Sequence, residues 1–433
     1  MKRISLFLLL FLLLKATVMY SQDGHPETNF RIVPVSPNAA SLGTFGMIPT
    51  DNYVGQANLT IPIYEIDLDG KKFPIALSYH TDGTRVAQEA TWIGLGWTLQ
   101  AGGCVVRQVQ GTDDFAARGC YNLTDAPWLT NPRFEVTDQN LEKYMGYFKG
   151  DYDAEPDMFY FNAGGHSGSM YFDVLKNNRQ LNAVPTIQTQ EKVVKMVYNT
   201  SNKTWTMTDL EGYVYSFSTK EITYYFLNTI DFFQTDITRS HIFPYYNEPQ
   251  IVTAWMLDSV TSPNGGKIMF SYKKESIFTP ISTTEDVISL SKIVNGQLSS
   301  QSPQYFTNKF NYNYSYSKIE QWTLSAITFE GGKVEFGTTD REDIESAETG
   351  KKVQKLSSIK VSDTAGNLIK TTMLEYKYLL SGMAATTNGY DDRLLLSKVY
   401  DVAGSKKNNV YTMDYNMGRL PPKRSLSVDA WGF

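Results

Sequence analysis

Past residue 50 the chain alternates large apolar and polar positions with a period of two, the spacing of strands that bury one face. Leu59, Ile61 and Ile63 alternate with Thr60, Pro62 and Tyr64; beyond Asp67-Leu68-Asp69-Gly70, Phe73, Ile75, Leu77 and Tyr79 repeat the device. Trp205 and Met207 reach Asp209-Leu210-Glu211-Gly212 and are followed by Tyr213, Tyr215 and Phe217. Similar units surround Ser262-Pro263-Asn264-Gly265-Gly266, Glu330-Gly331-Gly332, Asp363-Thr364-Ala365-Gly366-Asn367 and Tyr400-Asp401-Val402-Ala403-Gly404. Glycine reaches positive φ without steric cost and aspartate bonds its own backbone, so these segments read as hairpin tips. The pattern predicts an all-β fold of consecutive antiparallel hairpins forming large twisted sheets. The tips fall at irregular intervals, so no strict solenoid or propeller period is set.

Four stretches break the alternation. Residues 22–50 lack it and read as an extended lead-in. Thr137 to Phe148 carries Leu141, Tyr144, Met145 and Phe148 at helical spacing behind a Thr137 or Asp138 cap, which predicts one short helix. Thr283 to Gln304, rich in Ser, Thr, Asn and Gln, and the charged Thr338 to Lys352 read as loops. The resulting division is a first β unit over 51–136, a helix and acidic loop over 137–155, a second β unit over 156–282, a polar loop over 283–304 and a third β unit over 305–433.

The first residues give an address. Met1-Lys2-Arg3 is basic, Ile4 to Leu14 is apolar apart from Ser5, and Lys15 to Ser21 leads into Gln22-Asp23-Gly24, the layout of a secretory signal peptide over 1–21. As a helix that apolar stretch covers roughly 16 Å, about half a bilayer core, so a membrane span is not indicated. The leader predicts export to the periplasm, cell surface or medium. The chain's formal charge of −5 becomes −8 once Lys2, Arg3 and Lys15 are gone, and no basic stripe offsets it, so nucleic acid is not an expected partner. With 42% hydrophobic residues the chain can bury a core, and its 23 Phe, 28 Tyr and 7 Trp have a ready role paving strand faces.

Candidate chemistry is sparse. Gly165-His166-Ser167-Gly168-Ser169 approaches a lipase-type elbow, but Ser169 stands where the second glycine belongs, and Phe159, Phe161, Met170 and Phe172 make the flanks a hairpin. Gly94-Leu95-Gly96 is no dinucleotide loop, since Leu99 takes the third glycine's place; a tight turn between Trp92 and Trp97 fits better. Asp151, Asp153, Glu155 and Asp157 alternate and offer hard oxygens to Ca²⁺, without the glycine and terminal glutamate of an EF-hand, so a solvated loop is the stronger reading. Asp67 and Asp69 are explained by their turn, and Asp113-Asp114 and Asp391-Asp392 by loops, though paired carboxylates also serve glycoside hydrolysis. His25, His80, His166 and His241 are scattered, and no cofactor is indicated. Cys104 and Cys120 have one pairing available in an oxidising compartment; a disulfide and two separate thiols both fit.

Several blocks carry a resemblance. Ser36-Pro37-Asn38-Ala39-Ala40-Ser41-Leu42-Gly43, Pro62-Ile63-Tyr64, Pro74-Ile75-Ala76-Leu77-Ser78-Tyr79-His80 and Trp92-Ile93-Gly94-Leu95-Gly96-Trp97 through Gly103 resemble, in order and spacing, the N-terminal region of secreted bacterial Rhs/YD-repeat proteins. Glu155-Pro156-Asp157-Met158-Phe159, Gly168 to Asp173, Ser262-Pro263-Asn264-Gly265, Leu420-Pro421-Pro422 and Asp429-Ala430-Trp431-Gly432-Phe433 agree. The resemblance implies a β shell of the Tc-toxin kind that continues into tyrosine-aspartate repeats. Here Ser405 follows Tyr400-Asp401-Val402-Ala403-Gly404 where a repeat has Arg, and no array follows, so the chain resembles one cut short before the repeats. The expected function is a non-enzymatic structural module of such a surface or toxin-delivery shell, whose partner is the shell's own continuation or a separate chain. An exposed edge near Val410 to Tyr415 would also allow self-association. Two other readings stay open: a glycan- or host-surface-binding protein that stacks ligands on exposed aromatics, and a secreted hydrolase that works through two carboxylates.

Overall fold

A computed structural model of the chain describes residues 33–47, 59–80, 84–111, 113–116, 119–120, 153, 155–173, 185–188, 194–230, 242–244, 250–290, 293–294, 297–298, 307–381, 389–423 and 425. The leader and the helix expected at Thr137–Phe148 lie outside them. The regular structure of the described residues is nearly all strand, and the ladders between the strands are antiparallel. No described helix is long and apolar enough to cross a membrane.

The first hairpin, β1 (Leu59–Leu68) and β2 (Lys71–Tyr79), adds β3 (Trp97–Gln100) to make a three-stranded sheet of its own. Asp69 and Gly70 at its tip have φ of 52° and 91°, a left-handed pair that suits a right-twisted two-residue turn. Asp67 Oδ1 accepts the Gly70 N–H at 2.9 Å and closes it. β4 (Gly103–Gln108), β5 (Met158–Ala163), β6 (His166–Tyr171) and β7 (Thr186–Gln188) form a meander, and β8 (Val194–Asn199), β9 (Thr204–Asp209) and β10 (Val214–Ile230) a second. β11 (Phe243–Pro244) joins the far half of β10, and β12 (Ile251–Thr261) links β4 to β10 before turning into β13 (Lys267–Phe278). Then come β14 (Ser282–Leu290), the small pair β15 (Ile293–Val294) and β16 (Gln297–Leu298), and β17 (Thr307–Phe329). β18 (Gly332–Asp340) leaves β17 by a hairpin, and β19 (Glu345–Ser346) returns to β13. β20 (Gln354–Ser362), β21 (Leu368–Leu379), β22 (Arg393–Ala403) and β23 (Lys406–Thr412) complete the sheet from β18 outwards.

β10 and β17, with 17 and 23 residues, change partners along their length. β10 pairs with β12 over Val214–Thr223 and with β17 over Ile222–Ile230. β17 pairs with β14 up to Ser315, with β10 up to Glu320 and with β13 from Lys318 onwards. Together with the β12–β13 hairpin these ladders close on themselves. Register shifts at Ser216/Phe217, Phe217/Thr219 and Glu221/Ile222 let β10 bend between partners, as bulges do.

The core follows the alternation. β5 and β9 bury every second residue, Phe159 and Phe161 on one, Trp205 and Met207 on the other. Trp205 sits among Tyr198, Phe159 and Trp255 at centroid distances of 4.8, 5.3 and 6.0 Å. Large rings with tilted or edge contacts dominate such interiors energetically, so the aromatics are largely committed to the wall.

Three expectations change, one being that the charged stretch Thr338–Lys352 is not all loop, since Thr338–Asp340 ends β18 and Glu345–Ser346 is β19. The lead-in is not extended throughout: Pro37–Met47 forms α1, because Ser36 Oγ accepts the Ala39 N–H at 3.2 Å as an N-cap and Pro37 sits at the first helical position. The polar stretch 283–304 is not all loop, since Ser282–Leu290 lies antiparallel to Thr307–Ser315; its β-branched Thr283, Thr284, Val287 and Ile288 suit a strand despite polar neighbours.

Candidate functional site

Hairpin tips meet at one polar cluster. Lys71, the first residue of β2, places Nζ 2.6 Å from Asp209 Oδ2 and 2.9 Å from Glu211 at the β9–β10 tip. Asp209 closes its own turn by accepting the Glu211 and Tyr213 N–H groups at 3.0 and 2.9 Å, and it accepts the Tyr215 hydroxyl at 3.1 Å. His166, at the start of β6, brings Nε2 to 3.7 Å from Asp209. Tyr213 donates to Leu68 O at 3.0 Å, so the β1–β2 tip is pinned to the same place. Burial opposes the charge on Asp209, but Lys71 and the Tyr213 N–H outweigh it and hold the carboxyl below its usual range. Burial and the nearby Lys71 ammonium push His166 down, so it stays neutral near pH 7.

The elbow motif therefore contributes its histidine and not its serine. His166 and Ser167 are neighbours on β6, so their side chains leave on opposite faces; His166 is half-buried beside Asp209 while Ser167 is exposed. No nucleophile–base pair forms there.

The acidic segment is organised by a cation that the alternation pattern concealed. Arg107, fully buried on β4, donates Nε to Asp157 Oδ2 at 2.8 Å and Nη2 to both Asp157 and Asp113. Its guanidinium lies 4.7 Å from the Phe115 ring centroid. Asp157 also accepts the Gln110 N–H at 2.7 Å and the Asp114 N–H at 3.2 Å; burial pushes its carboxyl up, and Arg107 with these donors pulls against that. Asp114 accepts the Asp157 N–H in return at 2.8 Å, but its Oδ1 is buried without a hydrogen-bond partner. Burial first, and Asp157 second, push the Asp114 carboxyl up to about 9, so it holds a proton at neutral pH. Of the four acids weighed for Ca²⁺, Asp157 is taken by Arg107, Asp153 is buried and accepts the Glu155 N–H at 2.9 Å, Glu155 is exposed, and Asp151 lies outside the described residues. Asp114 and Asp157, the convergent acid pair, are both 0% exposed, out of a substrate's reach.

The blocks that carry the resemblance form a clasp. Asn38 Oδ1 accepts the Trp92 N–H at 2.9 Å, joining α1 to the Trp-Ile-Gly-Leu-Gly-Trp turn. Thr91 Oγ1 donates within that turn to Trp97 O at 2.6 Å, and the turn reaches out through Leu95 N–H to Leu394 O and Leu356 N–H to Trp92 O. Gly94 has φ of 120°, and a Cβ there would lie 2.9 Å from Leu396 N, so glycine is required by both conformation and proximity. Behind the turn, buried Arg341 donates to Thr91 O at 2.9 Å and pairs with Asp343 at 2.7 Å. Lys423, after the Leu420-Pro421-Pro422 block, pairs with Glu89 at 2.7 Å and donates to Asp343 O at 2.9 Å. Asp391 and Asp392 accept the Lys423 and Ser381 N–H groups, so that acidic pair ties loops together.

The two cysteines are not joined in this structure. Cys104 on β4 faces α1 among Ala39, Ala254 and Met256, whereas Cys120 packs in the main core, and both remain thiols. Among the residues whose burial is described, Tyr390 and Tyr411 are the exposed aromatics, and they lie apart on the chain. The edge is present: β23 is exposed at all seven positions, and among the described residues its ladder is with β22. Sequence reasoning missed Lys71, Arg107, Arg341 and Lys423. Only Arg107 left a signal, a charge ending the apolar run Cys104-Val105-Val106.

No protein-family model matches the sequence, and no curated protein matches it either. Among solved structures the chain is similar to the N-terminal domain of effector protein SpvB from Salmonella typhimurium strain LT2, with 13% identity and a TM-score of 0.34, covering 80% of this chain and 99% of that one. It is also similar to a chain of the TcdB2-TccC3-Cdc42 structure, at 11% identity and a TM-score of 0.33 over 83% of this chain and 15% of that one. A chain of the Photorhabdus luminescens Tc holotoxin pore gives 11% identity and a TM-score of 0.33, over 91% of this chain and 17% of that one. This chain thus spans a small part of the Tc toxin chains and nearly the whole of the SpvB domain.

Proposed function

We infer that the chain is a non-enzymatic structural module, the opening section of an exported Rhs/YD-repeat-type shell, which folds as wall and offers its last strand to the shell's continuation or to a separate partner chain. The observation that carries this reading is β23. A lysine at a sheet edge normally discourages pairing, but Lys407 is committed to Glu375 at 3.0 Å and lies 3.9 Å from the Tyr400 ring centroid. Val410 and Tyr411 beside it are 52% and 42% exposed. The sequence blocks shared with Rhs/YD-repeat proteins support the same reading, since in this chain they hold strands together.

Light scattering over a concentration series tests it. The chain is expected to associate as concentration rises, and the Val410→Lys, Tyr411→Lys double variant is expected to stay monomeric. A chain that is monomeric at every concentration, and that forms no complex with a polypeptide carrying tyrosine-aspartate repeats, refutes the edge as a docking strand. Hydrolysis of any substrate that is abolished by His166→Ala in a folded protein refutes the non-enzymatic part.

A further inference from the structure

The segment ahead of the first hairpin is fastened to the wall by a buried carboxyl. Val33–Met47 carries no charged residue of its own. Pro34 O accepts the Thr223 hydroxyl at 3.0 Å, and Leu42 O accepts Asn162 Nδ2 at 3.0 Å. Between them the Ser36 N–H donates to Glu221 Oε1 at 2.7 Å, and the Thr253 hydroxyl donates to the same oxygen at 3.1 Å. Glu221 is 0% exposed, and no donor meets its Oε2. Among the described residues no cation pairs with it.

Neighbouring charges are spent elsewhere. On β10 Lys220 donates to Asn202 O at 2.7 Å, and on β4 Arg107 holds Asp157 and Asp113. On β12 Asp258 accepts the Ser218 and Thr219 hydroxyls, and on β17 Glu320 pairs with Lys274 at 2.8 Å. The titratable group that faces Glu221 is the Cys104 thiol on β4, with Tyr272 of β13 beyond it. A buried carboxylate without a cation is costly enough that such a group takes a proton instead. Burial pushes the Glu221 carboxyl up, against Ser36 and Thr253, which stabilise its charge.

The rest of this seam is lightly held. Ala39 packs with Cys104, Ala254 and Met256, but a cavity of about 40 Å³ remains between Leu42 on α1 and Tyr272 and Trp322 on the wall. Unfilled space forfeits contacts for the atoms around it, so the polar fastening weighs heavily in closing the seam. We propose that Val33–Met47 is a strap locked by a proton: it lies closed while Glu221 is neutral and lifts when Glu221 ionises, uncovering Cys104 and the apolar strip of Ala254 and Met256 beside it. An acid raised in the closed state holds the strap fully below the ordinary glutamate value of 4.5. That hold is lost as pH climbs through the raised value, because the lifted state gains from ionising in water.

Cys104 reports the motion. It is 0% exposed, with Sγ 4.0 Å from Ala39 O under the strap, whereas Cys120 lies in the main core. Iodoacetamide labelling of the full chain at pH 5, 6.5, 8 and 9, read at each cysteine by mass spectrometry, tests the strap. Glu221→Gln never ionises and its amide oxygen still accepts the Ser36 N–H, so comparison with it at each pH cancels the thiol's own pH dependence. Parent and variant are expected to label Cys104 equally slowly at pH 5, and the parent at least ~10-fold faster at pH 9, with Cys120 alike in both. Equal labelling of Cys104 in the two proteins at pH 9 overturns the proposal. So does a parent in which Cys104 and Cys120 rise in step, since the whole fold is then opening and not the strap; that ratio decides the matter even where Glu221→Gln fails to fold.

Discussion

Replacing Asp114 by asparagine separates the energetics of the Arg107 cluster from its geometry. In the folded chain the Asp114 carboxyl keeps its proton up to about pH 9, whereas the unfolded chain releases it near the ordinary value of 3.8. An acid raised in this way leaves stability intact below about pH 4 and drains it as pH climbs towards 9, because the unfolded state gains from ionising while the folded state does not. At about 1.4 kcal/mol per pH unit, the drain at pH 7 is roughly 4 kcal/mol, an upper figure because Asp157 and Arg107 share the titration. The Asp114→Asn amide never ionises, and its oxygen still accepts the Asp157 N–H. Burying an amide whose N–H groups meet an unmatched site takes back about 1–2 kcal/mol. The variant is therefore expected to be about 1–2 kcal/mol less stable than the parent at pH 4 and about 2–3 kcal/mol more stable at pH 7. Paired urea unfolding curves at pH 4, 5.5, 7 and 8 read the crossing directly. A variant that tracks the parent at every pH, or one that loses stability at pH 8, refutes the assignment of the proton to Asp114.

Other substitutions probe the seams. Lys71→Ala strips the cation from Asp209, whose side chain is only 1% exposed, and is expected to cost about 2–4 kcal/mol at pH 7, measured by urea unfolding. The loss shrinks below pH 4 as Asp209 itself protonates, and a pH-independent loss tells against an ion pair. Gly94→Ala sets a Cβ against Leu396 N in a backbone region that alanine rarely adopts, so soluble yield and thermal midpoint are both expected to fall sharply. A variant with parental stability shows that the turn does not press on β22 as described.

Much of the wall was legible because hairpin chemistry is local. Asp67 to Gly70 and Asp209 to Gly212 read as tips from letters alone, and the alternation of Trp205 with Met207 gave their shared buried face. The start of α1 was also written locally, in Ser36-Pro37, but its weak amphipathicity hid it among irregular neighbours. What sequence could not give was which tips meet. Lys71 and Asp209 lie 138 positions apart, and Lys423 and Asp343 lie 80 apart, so no spacing rule joins them. The acidic segment was ambiguous for a related reason: its Asp157 is held by Arg107, which another strand supplies and no spacing within the segment shows.

The partner exchange of β17 bears on how such a chain reaches its native state. Val214 to Thr223 finds β12 within a few dozen residues, but Ile222 to Ile230 pairs with Tyr312 to Glu320, about 90 residues further on, and contacts so distant in sequence close slowly. During synthesis the second half of β10 therefore emerges long before its mate. Until Tyr312 to Glu320 is made, its hydrogen-bonding groups stand open to stray chains, which is where a holdase or rapid translocation would be most needed.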